Sequence, residues 1–186
     1  MQPEAAQRGG AEIIHESVRA GHALAEVRPD LAGALERCAA VLTPALHRLA
    51  ATVPATIVHG DFESKNLVLT DSGPCAVDWS TAHVGAHLGD LYSLVRDASL
   101  AGVPADAIIA AYADECALLG APVVDLAWQL ALGGTVWTVR ALRWVLEEGV
   151  HVVPESVTWI DELIERAGVV TDELAALSWT GHDTSP

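Results

Sequence analysis

Positive charge is scarce in this sequence: Lys and Arg number 10 against 25 Asp and Glu, Lys65 is the only lysine, and the formal charge is −15. The deficit deepens along the chain, since residues 87–186 hold 15 acidic and 4 basic side chains. Proteins grip nucleic acid by neutralising phosphates with clustered cations, so nucleic acid is not an expected partner. A negative field favours a cationic ligand and speeds its encounter, although an ordinary acidic surface carries the same charge. Long apolar runs are missing as well. Hydrophobic content is 51%, yet the longest stretches without charges, amides or histidine, Leu49 to Val58 and Leu130 to Val139, are ten residues each. A membrane span needs ~17–25, so no membrane is expected. Glu4, Glu12 and Glu16 stand where a secretory signal has a basic flank and an apolar segment, and a cytoplasmic protein is the simplest reading. Cysteine is limited to Cys38, Cys75 and Cys116, an odd number without metal or redox spacing, which suits reduced thiols.

What remains is enough for one domain with a core of its own. From Glu12 to about Ala51, Ile13, Ile14, Val18, Leu24 and Val27, then Leu31, Leu35, Ala39, Leu42, Leu46 and Leu49, recur mostly at three and four, which predicts two amphipathic helices. Pro29-Asp30 separates them, with Asp30 as N-cap of the second. Thr56-Ile57-Val58, Leu67 to Thr70 and Cys75-Ala76-Val77 are short β-rich runs, and Asp71-Ser72-Gly73-Pro74 predicts a hairpin turn between the last two. Helical periodicity returns near 89–100, 104–119, 123–147, 155–167 and 172–178, broken by glycine and proline at 102–104, 120–122, 149–154 and 168. Thr180 to Pro186 reads as a frayed tail. The expected fold is α+β, mainly helical around a small β-hairpin: leading helices over 1–55, a loop-and-hairpin unit over 56–91, helices over 92–179, and a tail over 180–186.

Chemistry concentrates in His59-Gly60-Asp61-Phe62-Glu63-Ser64-Lys65-Asn66 and in Val77-Asp78-Trp79, which places Asp78 twelve residues after Asn66. Phosphoryl transfer asks a protein for one carboxylate to orient the attacking hydroxyl and for oxygen ligands that hold Mg²⁺ against the phosphates. Asp61, Asn66 and Asp78 form such a set. Folding 67–77 around Ser72-Gly73 puts residue 66 opposite residue 78 or 79. Opposed Cβ atoms lie ~4.5–5.5 Å apart and Mg²⁺ bonds oxygen at ~2.0–2.1 Å, so Asn66 and Asp78 could share a metal. Asp61, a short loop ahead of the hairpin, is placed as a base.

The Asp, four residues, Asn spacing is that of the protein-kinase catalytic loop. The His-Gly-Asp opening and the later hydrophobic-Asp-Trp resemble the aminoglycoside phosphotransferase and choline kinase family. That resemblance implies a protein-kinase-like C-terminal lobe, with Asp61 as catalytic base, Asn66 and Asp78 as Mg²⁺ ligands, and His59 as structural support. Gly85 and Asp90-Leu91 match the segment after the metal-binding Asp, so Asp90 is implied to brace the loop. The implied activity is transfer of a phosphoryl group from ATP or GTP to a hydroxyl of a small molecule, often a cationic one. Among the side chains that could face such an acceptor are Asp97, Asp114, Glu115, Glu147, Glu148, Asp161 and Glu165, each also readable as a solvated helix face.

The sequence departs from the family in two ways. Ser64-Lys65 stand where many relatives carry Pro-Gly or similar residues, and Lys65 is placed to touch a phosphate or only solvent. No β-rich segment with a glycine loop and a strand lysine precedes residue 56, so the N-terminal, nucleotide-gripping lobe is expected to be missing, through truncation, loss or supply by a partner chain. A catalytically inactive lobe serving as a binding or regulatory module is the competing expectation. His83 and His87, four apart and near Asp90, could ligate a metal from one helix, but Gly85 between them argues for a loop.

Overall fold

The structure, a computed structural model, describes residues 3–29 and 32–179; Asp30, Leu31 and the tail from Thr180 lie outside the described residues. Helix α1 (Pro3–Val27) and helix α2 (Ala32–Thr52) pack against each other as a hairpin, and α1 begins nine residues ahead of the predicted Glu12. Strand β1 (Thr56–Val58) follows, then a 3₁₀ turn over Ser64–Asn66 and the hairpin of β2 (Leu67–Thr70) and β3 (Gly73–Ala76). Strand β4 (His83–Gly85) returns to pair antiparallel with β1, Val58 opposite His83. The rest is helical: α3 (Gly89–Leu100), α4 (Ala105–Leu118), α5 (Leu126–Trp144), a π turn over Val145–Gly149, the single turn α6 (Val150–Val152), a 3₁₀ segment over Pro154–Trp159 and α7 (Ile160–Trp179). This is an α+β fold, mostly helical, as a kinase-like lobe requires.

The core lies where α1, α2, α5 and α7 meet, with Leu24, Leu35, Leu42, Leu132, Leu142 and Leu174 almost wholly buried. Each such leucine contributes ~1.5–3 kcal/mol by leaving water, and the scaffold that results is stiff because it is close-packed. The site-bearing loops hang on one side of this block, tied to it by α3, which packs on α5, and by β4, which packs on α1.

Three predicted boundaries move. The helix expected to stop at Gly168 runs through it, because Leu163, Ile164, Ala167, Val170, Thr171 and Leu174 stay in phase on one buried face. A mid-helix glycine costs ~1 kcal/mol, less than that face returns. The hairpin pairs Thr70 with Gly73 and Leu67 with Ala76, so its turn is Asp71-Ser72 rather than Ser72-Gly73. Asn66 therefore faces Val77, whose N–H donates to the Asn66 carbonyl at 2.9 Å, and not residue 78 or 79. Finally, His83 lies in a strand, where a loop was expected.

Candidate active site

The loop from His59 to Asn66 is held from four sides. The Asp90 carboxylate, at the start of α3, accepts the His59 N–H at 2.6 Å and the Gly60 N–H at 2.8 Å, one on each oxygen. Two orphan amides of a tight turn are satisfied by one charge, a strong arrangement because the acceptor is ionised. The buried His59 ring faces Val77 O through Nε2 at 2.9 Å, and its Nδ1 accepts the Asp61 N–H at 3.3 Å, which fixes the neutral tautomer with the proton on Nε2. Thr81 donates its hydroxyl to the His59 carbonyl at 2.9 Å. Gly60 sits at φ +88°, and a Cβ there would meet the Thr81 carbonyl at 2.7 Å, so only glycine lets the strands close over the loop. On the far side the Ser64 N–H donates to Asp97 at 2.8 Å, and hydrogen bonds from Ser64 hold the Asp97 carboxyl below its ordinary range.

Asp61 and Asn66 are brought into direct contact. The Asn66 amide nitrogen donates to the Asp61 main-chain carbonyl at 2.8 Å and to its side-chain Oδ2 at 2.9 Å. Asp78 follows Val77, which is bonded to both Asn66 and His59, and leaves the ladder with φ 58°, a left-handed conformation that swings its carboxylate off the sheet. The Ser80 hydroxyl donates to Asp78 at 2.7 Å, and the bonds from Ser80, with the nearby Lys65 ammonium adding to them, hold this carboxyl below its usual range.

Lys65 bridges Asp61 and Glu63, 3.1 Å from an oxygen of each. Burial alone would lower its pKa, but the hydrogen bonds to Glu63 and Asp61 outweigh that and raise it. The lone ammonium is thus neither loose in solvent nor idle, since it clamps the base.

Asp61, Glu63, Lys65, Thr81 and Asp90 form one wall of a cleft of about 720 Å³, within the range of small-molecule sites, and neither Asn66 nor Asp78 is among its lining residues. The opposite wall is helical: Glu16 from α1, Trp137, Arg140 and Trp144 from α5, Glu148 from the π turn, and Trp159. Of the acidic residues expected near an acceptor only Glu148 lines the cleft; Asp161 pairs with Arg28, and Glu147 with Arg19 and Arg143. Trp128 packs in the core beneath Arg48 instead. Glu16, Glu63, Glu162, Arg140 and Thr81 were not singled out by the sequence. For Glu16 a signal existed, because a charged residue in phase with Ile13, Ala20 and Leu24 falls on a buried face, where it needs partners.

His83 and His87 do meet, Nε2 to Nε2 at 3.1 Å, but their remaining nitrogens face the Thr81 carbonyl and the Gly89 N–H. Burial pushes the His87 imidazole down to about 3, and both rings are neutral. Among the described residues no three His, Cys, Asp or Glu gather as a metal cluster. The donor set at Asp61, Asn66 and Asp78 nevertheless suits Mg²⁺, which keeps water and phosphate ligands and asks a protein for only one or two carboxylates. Asn66 commits its amide nitrogen to Asp61, so its oxygen is the atom left for a cation.

The profile of the phosphotransferase enzyme family matches residues 4–115. The chain belongs to that family. The match spans the loop, the hairpin and the Asp90 brace, and it favours phosphoryl transfer over a silent binding module. No curated protein and no solved structure matches the chain. No described helix of this family member is long and apolar enough to cross a membrane.

Proposed function

We propose that this phosphotransferase moves the terminal phosphoryl group of ATP or GTP onto a hydroxyl of a small molecule bound in the cleft. The observation that carries the reading is the Asn66 amide nitrogen seated on the Asp61 carboxylate, because it orients the carboxylate proposed as base and leaves the Asn66 amide oxygen for a cation. Asp61 orients the acceptor hydroxyl and takes its proton as the new O–P bond forms and the bond from the terminal phosphorus to the bridging oxygen breaks, leaving the nucleoside diphosphate. Asn66 and Asp78 hold Mg²⁺, which supplies charge neutralisation at the phosphates. His59 and Asp90 position the loop without touching the reactants. Lys65 gives up part of its bond to Asp61 to meet incoming phosphate charge. It is the only lysine. The grip on the inner phosphates therefore comes, in this reading, from a further segment or a partner chain. Three free cysteines fit the cytoplasm.

The test is phosphoryl transfer from radiolabelled nucleotide, in the complete enzyme, by Asp61→Asn and Asp78→Asn variants. Each is expected to lose ~10²-fold or more in kcat. Binding of Mn²⁺ as a paramagnetic probe gives a second readout: broadening of amide resonances near residues 66 and 78, lost in Asp78→Asn. Wild-type turnover in both variants would sink the assignment.

A further inference from the structure

The helical wall of the cleft is balanced in charge. Apart from Asp90, whose oxygens are taken by loop amides, it presents Glu16, Glu148 and Glu162 against Arg96, Arg140 and Arg143. His83 and His87 are held neutral and add nothing. The net charge of −15 is thus not carried by this wall. Along this wall a cation meets as many positive neighbours as negative ones, and one face of Trp137 is already covered by the Arg96 guanidinium, 4.8 Å from the ring centroid.

Glu16 adds a specific demand. It is 5% exposed, its Oε1 is paired with Arg143, and Oε2 has no hydrogen-bond partner among the described residues. A second cation, Arg140 Nε, stands 3.7 Å from Oε2, beyond hydrogen-bonding distance. A buried carboxylate oxygen on a cleft wall without a donor is costly until a ligand supplies one. Around it Trp144 and Trp159 offer flat apolar faces, while the arginines offer donors.

Given the phosphotransferase reading above, on which this rests, we propose that the acceptor is a neutral ring-shaped polyol, a sugar or cyclitol, and that Glu16 Oε2 selects it by accepting one of its hydroxyls. Such a molecule has apolar ring faces for the tryptophans, hydroxyl donors for Glu16 and Glu148, and oxygen acceptors for Arg140 and Arg96. A polycation leaves the arginines on this wall without acceptors.

The experiment is equilibrium binding to the full chain without nucleotide, read by calorimetry and tryptophan fluorescence, with D-ribose and myo-inositol as neutral probes and choline and kanamycin as cationic ones. Saturable binding of at least one neutral probe is expected, unchanged between low salt and ~0.5 M, where screening has removed long-range attraction. Glu16→Gln is expected to weaken it about tenfold or more, the loss of one hydrogen bond to a charged group. Trp159→Leu, at a residue 43% exposed and so safe for folding, should also weaken it several-fold. Tighter, salt-sensitive binding of the cations overturns the proposal, as does no neutral binding in the tens of millimolar or binding indifferent to both substitutions. Phosphoryl transfer plays no part in this readout. Failure here leaves the transfer reading standing, while polyol binding together with full turnover in Asp61→Asn sinks the transfer reading alone.

Discussion

Asn66 spends both protons of its amide nitrogen on Asp61, one on the main-chain carbonyl at 2.8 Å and one on the side chain at 2.9 Å. The residue is 7% exposed, so this pair orients the Asp61 carboxylate from inside the protein rather than from solvent. Asn66→Ala is expected to remove both bonds and cost ~1–3 kcal/mol, since the Asp61 carbonyl loses its donor. Asn66→Asp should fold less well still, because two carboxylates then face each other. Urea denaturation of the two variants checks the order, and a milder loss for Asp than for Ala would contradict it.

Asp90 makes a second clear prediction. Its two oxygens each take one amide of the His59-Gly60 turn. Asp90→Asn keeps one acceptor and turns a donor toward the other N–H, so the expected loss is ~2–3 kcal/mol with a drop in kcat larger than the change in KM. Thermal melts and initial rates measured on the same preparation separate the two effects. An unchanged kcat at full folding would mean that the loop keeps its shape without the brace.

The contact between Asp61 and Asn66 was legible in the sequence because the two are close neighbours on one loop. The mainly helical α+β class followed from helix periodicity around the short strands, and its kinase-like character from the resemblance carried by residues 59–91. Strand β4 was not legible, since His-Val-Gly carries no alternation and exists only because β1 offers it a partner. The turn register slipped by one because glycine at 73 drew the turn onto itself, whereas the ladder sets it by pairing Thr70 with Gly73. The opposite wall of the cleft was hidden for a different reason: Glu16, Arg140 and Glu162 meet only through the packing of α1, α5 and α7, at separations that no local pattern records.

Gly133 shows how a long helix fits against the site. It lies in the middle of α5, where a Cβ would come 2.5 Å from the Leu88 carbonyl carbon and 2.8 Å from the Gly89 nitrogen, both main-chain atoms at the entry to α3. Helix propensity favours alanine at such a position by ~1 kcal/mol. Overpacking against backbone costs ~1–3 kcal/mol or more and should win, because main chain cannot rotate aside. Gly133→Ala is therefore expected to be net destabilised by chemical denaturation, and to displace Asp90 enough to lower turnover. Gly168→Ala, with nothing within 4 Å of the added methyl, is the control and should gain stability.

His87 sets a pH dependence whose sign can be worked out. In the unfolded chain its imidazole protonates near 6.5, whereas burial holds the folded value at about 3, with the neighbouring His83 and the Arg140 guanidinium acting in the same direction. Unfolding below 6.5 thus takes up a proton that the folded protein refuses, so the stability attached to neutral His87 is complete above 6.5 and is lost as pH falls toward 3. The loss approaches ~1.4 kcal/mol per pH unit well below 6.5. Carboxylates titrate in the same window, so the informative quantity is the difference between the wild type and His87→Gln, which cannot protonate. That difference should shrink by roughly 1–2 kcal/mol between pH 7 and pH 5 in urea denaturation, with the variant nearly flat over the upper half of the range. A difference that stays constant with pH would mean that the folded imidazole accepts its proton, and the His83–His87 contact would then need a charge to be accommodated between them.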